Sequence, residues 1–374
     1  VNMSEPMPPD EMAKYWTDFI NGHIPNFDLT AYEQIDNYVK ECWEAIVETA
    51  VWAEKELPGV LEKVSPDIVC VDNVILFPAI KRYARENNKP WVRVISCSEN
   101  EIPDPQIPPH LSGCGENDSE CFSAYQNHFN EVIQPIHDRF NAFLAECGEA
   151  AYPVGEFFEA SPHMNLLLYP EPVKFSRSTP LDPKQFQYLE GCVRDEEAYE
   201  VPEFKAHNDA PLLYVSFGSL GSGDTGLLRR LMDVVSTMPV RALFNVGDYE
   251  SEYDTVPDNV QIASWYPQPS VISQVDAVIH HGGNNSFNEC LYFGKPAIIM
   301  PYVWDGHDNA KRVAETGHGH HLHRNHWKPK ELRATIESML SNKAMHERLA
   351  ATSAHMRSEH GPTKAASILD QLLI

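Results

Sequence analysis

Residues 265–309 read WYPQPSVISQVDAVIHHGGNNSFNECLYFGKPAIIMPYVWDGHDN, and this stretch decides the fold. Its apolar run 277–279 predicts a buried strand, which ends in a glycine-rich turn at residues 280–286. Residues 287–293, which follow, have helical periodicity. A strand that feeds a glycine-rich turn and a helix leaves backbone N–H groups free at the positive end of the helix dipole. This arrangement predicts a site for phosphate groups.

The side chains around this turn suit the other parts of a nucleotide sugar. Trp265 offers a flat face on which a base could stack, and Glu289 is an acceptor suited to two ribose hydroxyls. His281 and Ser286 are hydrogen-bond donors beside the turn. The apolar run 296–301 predicts another buried strand, and Asp305 follows it, where open parallel sheets place their ligands. One segment therefore accounts for base, ribose, diphosphate and sugar.

The segment resembles the donor-binding signature of the inverting, metal-independent family 1 glycosyltransferases, which use UDP-sugars. The matching positions are Trp265, Pro267, Gln268, His281, Gly283, Asn285, Ser286, Glu289, Gly294, Pro296, Pro301 and Asp305. Asn284 stands where plant members carry Trp, and Gly306 stands where the family has Gln. Because the family's Asp-Gln pair binds the sugar hydroxyls, Gly306 leaves the identity of the sugar open. An ordinary strand–helix unit with a glycine-rich turn is the alternative interpretation.

The resemblance implies an α/β protein of the GT-B fold, with two facing Rossmann-like domains built on parallel sheets. We expect an acceptor-binding domain over residues 1–193, a linker over 194–210 and a donor-binding domain with C-terminal helices over 211–374. Family members use the last helix to cross back onto the first domain. Residues 211–219 predict a buried strand that ends in a Phe-Gly-Ser turn, a feature also found in many other α/β proteins.

The resemblance also implies a set of ligands and roles. The residues expected to bind the donor are Ser219, Trp265, Gln268, His281, Gly283, Asn285, Ser286, Glu289 and Asp305. The UDP-sugar is a co-substrate, so no cofactor and no metal are expected. The expected acceptor is a hydrophobic, hydroxylated small molecule such as a phenolic, a flavonoid or a macrolide, and residues 99–120, a long loop, are expected to shape its choice.

A catalytic His is harder to place than the donor site. Asp72, at the end of the strand predicted over 68–71, matches the Asp that orients this His in the family, and a helix-capping Asp is the alternative. His23 follows a helix-like stretch rather than a strand, so we interpret it as a decoy. We expect that a first strand–helix–strand unit, which would carry the His, is absent from this sequence and that the natural protein contains further residues.

Composition excludes several classes of protein. The formal net charge of −25 makes nucleic acid an improbable partner, because a phosphate backbone would be repelled. No apolar run approaches the roughly 20 residues that span a bilayer, so we expect a cytoplasmic protein. Among the eight Cys, only Cys114 and Cys121 lie close together in a predicted loop, and we expect both to be reduced. The oligomeric state is not decided by the sequence, and a monomer is expected.

Helical periodicity predicts helices over residues 10–20, 30–63 with a break at Pro58-Gly59, 78–87, 120–147, 227–236 and from 329 on. Apolar runs predict further strands over 91–95, 165–169, 186–189 and 241–246. The His-rich stretch 317–326 alternates like a strand, with a metal site as the alternative. Two alternatives to a transferase also stay open: a nucleotide-sugar-binding protein without turnover, and a GT-B epimerase or glycan-assembly transferase.

Overall fold

The computed structural model of the chain describes residues 22–72 and 77–373, and before them residues 8, 11, 14, 15, 18 and 19. The helix predicted over 10–20 falls largely outside these residues. The described chain forms two compact units. The first contains the residues up to Tyr169, Phe175–Leu189 and the segment from Gly361 on, and the second contains Pro170–Lys174 and Glu190–His360.

These boundaries differ from the predicted domains at two places. The segment 194–210, predicted as a linker, belongs to the second unit, because side chains of that unit donate to its backbone carbonyls. The Ser270 hydroxyl donates to the Glu197 carbonyl (2.7 Å) and the Gln274 amide donates to the Tyr199 carbonyl (2.9 Å). The C-terminal helix, Gly361–Leu372, belongs to the first unit rather than to the donor-binding domain.

The first unit is built on four parallel strands in the order β1-β2-β3-β4. The strands are β1 (Val69–Asp72), β2 (Trp91–Ile95), β3 (Met164–Leu167) and β4 (Phe186–Tyr188), and the helices in chain order are α1 (Lys40–Val64), α2 (Pro78–Asn87) and α3 (Ser119–Glu146). Among the described residues, β1 has a strand partner on one side only, and its Cys70 and Asp72 are exposed.

The C-terminal helix covers one face of this sheet. Its Ala365, Ile368, Leu369 and Leu372 pack on a buried cluster formed by Val92, Met164, Leu166 and Leu189. The Lys364 ammonium also donates to the Tyr188 carbonyl at 2.7 Å. Burial of the apolar stripe therefore fixes this helix on the sheet of the first unit.

The break predicted at Pro58-Gly59 is wrong, because α1 runs through both residues. Pro58 removes one backbone donor from the helix, and the neighbouring Leu57 and Leu61 pack on α2. The Glu54 carboxylate accepts from the backbone N–H of Ala79 at 2.8 Å and from the Arg82 guanidinium at 2.7 Å. The residues before α1 also differ from the predicted α-helix, since Ile35–Val39 forms a π-type turn.

The predicted loop at 99–120 contains only one short 3₁₀ turn, Glu99–Glu101, before α3 begins. Cys114 and Cys121 form a disulfide with their Cα atoms 5.8 Å apart, so the expectation of reduced thiols is wrong. The start of α3 brings the two residues together, since Asp118 caps the helix by accepting from the Cys121 N–H at 3.0 Å.

The second unit is built on six parallel strands in the order β10-β9-β8-β5-β6-β7. The strands are β5 (Leu212–Ser216), β6 (Arg241–Asn245), β7 (Val260–Ala263), β8 (Ala277–His280), β9 (Ala297–Ile299) and β10 (Gly319–His321). The helices are α4 (Gly218–Gly221), α5 (Thr225–Val235), α6 (Gln268–Gln274), α7 (Asn284–Tyr292), α8 (Asp305–Glu315), α9 (Pro329–Ser341) and α10 (Lys343–Met356).

The prediction of an α/β fold with parallel sheets is confirmed in both units. Strand β7 was not predicted, because three of its four residues are only partly buried and its sequence lacks a continuous apolar run. Of the helices in the described part of the chain, none combines the length and apolar character that crossing a bilayer requires.

Leu228→Ala should destabilise the second unit by about 2–5 kcal/mol, because the Leu228 side chain on α5 is completely buried and its loss leaves a cavity. Chemical unfolding followed by circular dichroism should show an earlier transition. Leu220→Ala, at a position 39% exposed, is the control and should change stability by no more than about 0.5 kcal/mol. Equal effects of the two substitutions would contradict the described core.

Candidate functional site

The sheet of the second unit changes winding direction between β5 and β8. The chain passes from β5 to β6 and β7 on one side, and then returns to place β8 and β9 on the other side. Ser216 pairs with His280 in the parallel register, so the turns that follow β5 and β8 leave the sheet side by side. The carboxyl edge at such a switch point is where open α/β sheets bind ligands.

The imidazole of His281 lies between glycines from these two turns. A Cβ atom on Gly218 would lie 3.0 Å from His281 Cε1, and a Cβ atom on Gly283 would lie 2.6 Å from His281 Nε2. Gly218 also has a φ of +66°, which favours glycine. The Phe-Gly-Ser turn and the glycine-rich turn are therefore brought together around one ring.

Burial keeps His281 neutral at neutral pH. It lowers the pKa of His281 to about 4, although a hydrogen bond with the Ser216 backbone acts in the opposite direction. Burial similarly lowers the pKa of His280 to about 3, and its Nδ1 accepts from the Gly282 N–H at 3.1 Å. In the described part of the chain, His281 Nδ1 has no hydrogen-bond partner. A nearby anion would raise the pKa of His281 again.

Helix α7 begins directly after the glycine-rich turn, and no side chain of the turn caps it. The N–H groups of its first turn lack intrahelical acceptors and lie at the positive end of the helix dipole. Within this turn Asn285 is exposed, whereas Ser286 is buried. Ser219, after β5, is also exposed. The arrangement suits a diphosphate.

Asp305, predicted to contact the sugar, begins helix α8 and supports the glycine-rich turn. Its Oδ2 accepts from the Asn284 N–H at 2.9 Å and from the Asn309 amide at 3.3 Å. The Asn309 amide also donates to the Gly282 carbonyl at 2.8 Å. At least one oxygen of Asp305 is therefore engaged in holding the start of α7.

Steric crowding explains why glycine stands at position 306, where the family pattern has Gln. A Cβ atom on Gly306 would lie 2.7 Å from the His281 carbonyl oxygen, and a Cβ atom on Gly282 would lie 2.8 Å from the Gly306 carbonyl oxygen. Gly282 has a φ of +94°. The two backbones therefore pass too closely for any side chain at 306 unless one of them shifts.

A second group of site residues surrounds the buried Glu289 carboxylate. The Gln268 amide donates to Glu289 Oε2 at 2.6 Å and to the Ser286 hydroxyl at 3.1 Å, and the Tyr214 hydroxyl lies 3.4 Å from Gln268 Oε1. Glu289 is 3% exposed, and burial raises its pKa against the opposing effects of Gln268 and Arg194. Three residues predicted to bind the donor thus form one hydrogen-bonded group.

Arg194 belongs to this group and was missed by the sequence analysis. Its Nη1 lies 3.4 Å from Glu289 Oε1, and its Nε pairs with the Glu196 carboxylate. The lack of periodicity in 194–210 indicated a linker, and an Arg without a motif gives no signal of a distant Glu.

Trp265, in contrast, has the exposure that stacking requires, since 57% of its surface is accessible.

Asp72 lies in the first unit, at the carboxyl end of β1, and is exposed. Its Oδ1 accepts from the Ser96 hydroxyl at 2.6 Å. His23 is buried at 6% exposure, with its Nε2 3.2 Å from Glu41 and its ring against Phe19 and Tyr38. These contacts give His23 a role in the core of the first unit, and the role of Asp72 stays a prediction.

The His-rich stretch forms β10 and the turn after it. The ring nitrogens of His318 lie 2.9 Å from the hydroxyls of Thr316 and Thr352. The rings of His323 and His326 stack with their centroids 4.0 Å apart. Burial lowers the pKa of His321 to about 4. The strand predicted for this stretch is present, and the contacts of His318 are structural.

Residues 229–372 match the family model for the C-terminal domain of erythromycin biosynthesis protein CIII-like proteins. The oleandomycin glycosyltransferase of Streptomyces antibioticus is 24% identical over 263 residues, which cover 66% of this chain and 60% of the relative. The chain spans about half the length of the curated relatives it matches.

Solved structures resemble nearly the whole chain. The glycotransferase of kitacinnamycin has a TM-score of 0.70 and 21% identity, covering 89% of this chain and 83% of that one. The spinosyn rhamnosyltransferase SpnG, solved with thymidine diphosphate, has a TM-score of 0.62 and 17% identity, covering 91% and 84%. These similarities concern the fold, and the predicted GT-B fold is confirmed.

Gly283→Ala should weaken UDP binding at least about tenfold, because the new Cβ would displace the His281 ring. Gly283 has φ −56° and ψ 143°, which alanine also adopts, so the effect would be steric rather than conformational. Calorimetric titration with UDP measures the change. Gly226→Ala is the matched control, since its Cβ would find only Asp224 Oδ1, at 3.8 Å. Unchanged UDP affinity in Gly283→Ala would contradict the described packing.

Proposed function

We propose that this chain, which belongs to the bacterial family 1 glycosyltransferases, transfers a hexose from a UDP-sugar to a hydroxyl of an apolar small molecule with inversion. The family was predicted from residues 265–309 and is confirmed by the family match and the relatives. The observation that carries the proposal is the convergence of the two glycine turns on His281 at the switch point of the second sheet.

In this proposal, the UDP-sugar binds at the carboxyl edge of the sheet in the second unit. Uracil stacks on the exposed indole of Trp265, and the ribose hydroxyls donate to Glu289. The diphosphate lies at the start of α7, within reach of Ser219 and His281. Groups held in place before the reaction stabilise the leaving diphosphate as its charge develops.

The reaction is a single displacement. The acceptor oxygen bonds to the anomeric carbon from the face opposite the diphosphate, the bond from that carbon to the diphosphate breaks, and UDP leaves with the bonding electrons. A general base takes the acceptor proton, which typically contributes about 10² to 10⁴ in rate. Asp72 is proposed to orient that base.

A cavity of about 270 Å³ in the first unit supports an apolar acceptor. Its apolar lining includes Trp43, Ile107, Leu111, Tyr125, Phe129 and Phe158, and its polar lining includes Asn100, Gln126 and Asn130 together with the acidic Glu101, Asp104 and Glu156. Part of the predicted loop 99–120 forms one wall. Ion pairs hold this loop in place, since Arg93 lies 2.9 Å from Glu101 and Arg177 lies 3.2 Å from Glu99. A flat aromatic or polycyclic molecule with a hydroxyl group suits this lining.

The proposal is tested by incubating the full chain with UDP-glucose and a panel of phenolic, flavonoid and macrolide acceptors. Mass spectrometry should detect a product heavier by one hexose, together with stoichiometric UDP. Binding of UDP without any product would instead indicate a nucleotide-sugar-binding protein. Release of UDP in the absence of acceptor would indicate an epimerase or a glycan-assembly enzyme.

Trp265→Ala should weaken UDP binding about tenfold, because stacking of a base on an aromatic ring contributes roughly 1–3 kcal/mol. The fold should not change, since more than half of the indole surface is accessible. Trp265→Phe should retain most of the affinity. Tyr32→Ala, at a comparably exposed ring of the first unit, is the control for titration calorimetry. If Trp265→Ala bound UDP as tightly as the wild type, the base would not stack on this residue.

A further inference from the structure

We propose that Arg194 is a positioning residue of the donor site, which holds the Glu289 carboxylate in place for the ribose hydroxyls of the nucleotide. The inference rests on the proposed function, because it concerns how the same site binds UDP. It adds a residue that lies outside the glycine-rich segment and outside the signature that predicted the site.

The geometry gives each oxygen of Glu289 one anchor. Arg194 Nη1 lies 3.4 Å from Oε1, and the Gln268 amide nitrogen lies 2.6 Å from Oε2. An ionised carboxylate has about four lone-pair positions, so two anchors leave acceptor capacity for two hydroxyls. A protonated carboxyl would lose part of that capacity.

Arg194 is itself held in position. Its Nε pairs with Glu196, whose side chain is only 15% exposed. The Arg194 side chain is 52% exposed, whereas the Glu289 side chain that it faces is 4% exposed. The planar guanidinium pairs with Glu196 through Nε and lies at ion-pair distance from Glu289 through Nη1, which a lysine ammonium could not do with the same geometry.

The charge balance explains why an arginine is needed. A buried carboxylate is costly unless it is paired, and Glu196 brings a second negative charge close to Glu289. The other titratable neighbours, Tyr214 and Cys290, carry no positive charge, and burial raises the pKa of both. Without Arg194, the pKa of Glu289 would rise further and more of this residue would be protonated at a given pH.

The test compares UDP with 2′-deoxy-UDP by calorimetric titration of the full chain. Arg194→Gln should weaken UDP binding about tenfold and reduce the preference for UDP over 2′-deoxy-UDP. As the pH is lowered, its UDP affinity should begin to fall at a higher pH than that of the wild type, because loss of the Arg194 charge raises the pKa of Glu289 further. Arg194→Lys should bind UDP more tightly than Arg194→Gln but less tightly than the wild type, since lysine keeps the positive charge and lacks the planar guanidinium.

A double-mutant cycle separates positioning from direct contact with the nucleotide. In a Glu289→Gln background, Arg194→Gln should have little further effect on UDP affinity. Lys205→Gln is the control, because Lys205 lies in the same segment and is 82% exposed beside Asp258. Circular dichroism checks that each variant is folded.

Two results would overturn the inference while leaving the proposed function intact: Arg194→Gln with wild-type affinity and wild-type preference for UDP, or an equal loss of affinity with and without Glu289. A wild-type chain that does not bind UDP would overturn both.

Discussion

The pairing of β5 with β8 is the constraint on which the donor-binding half depends. The Ser216–His280 register places two glycine-containing turns beside each other, with room between them for one imidazole and no room for a side chain on either glycine. Burial then keeps that imidazole neutral. The backbone of Gly306, in helix α8, also packs closely against the backbone of the glycine-rich turn. Close backbone approach, rather than a set of charged side chains, therefore shapes the proposed diphosphate site.

Several polar residues that are predicted to bind the donor also have structural roles. Asp305 holds the N–H of Asn284 at the start of α7, and Gln268 links Ser286 to Glu289. Such bonds orient the groups before any ligand arrives, which lowers the cost of ordering them on binding. Asp305 and Gly306 both pack against the glycine-rich turn, and the contact of Asp305 with the sugar stays a prediction.

The sequence predicted most strands and helices, because these depend on local patterns, and the role of the donor-site residues stays a prediction. The strand Trp91–Ile95 and the helix Pro78–Asn87 have the predicted bounds, and the strand before His281 is extended by one residue. The features that the sequence analysis missed depend on contacts between distant residues. Glu54 joins α1, the helix that contains Pro58, to α2, and Arg194 joins the group around Glu289 from outside the signature. No local pattern contains this information.

The most direct test of the central claim is a crystal structure of the chain grown with UDP. The account predicts uracil on the face of Trp265, the ribose hydroxyls within hydrogen-bond distance of Glu289, and the diphosphate at the first turn of Asn284–Tyr292 beside His281. Nucleotide bound at any other place on the chain, or no bound nucleotide at saturating UDP, would contradict it.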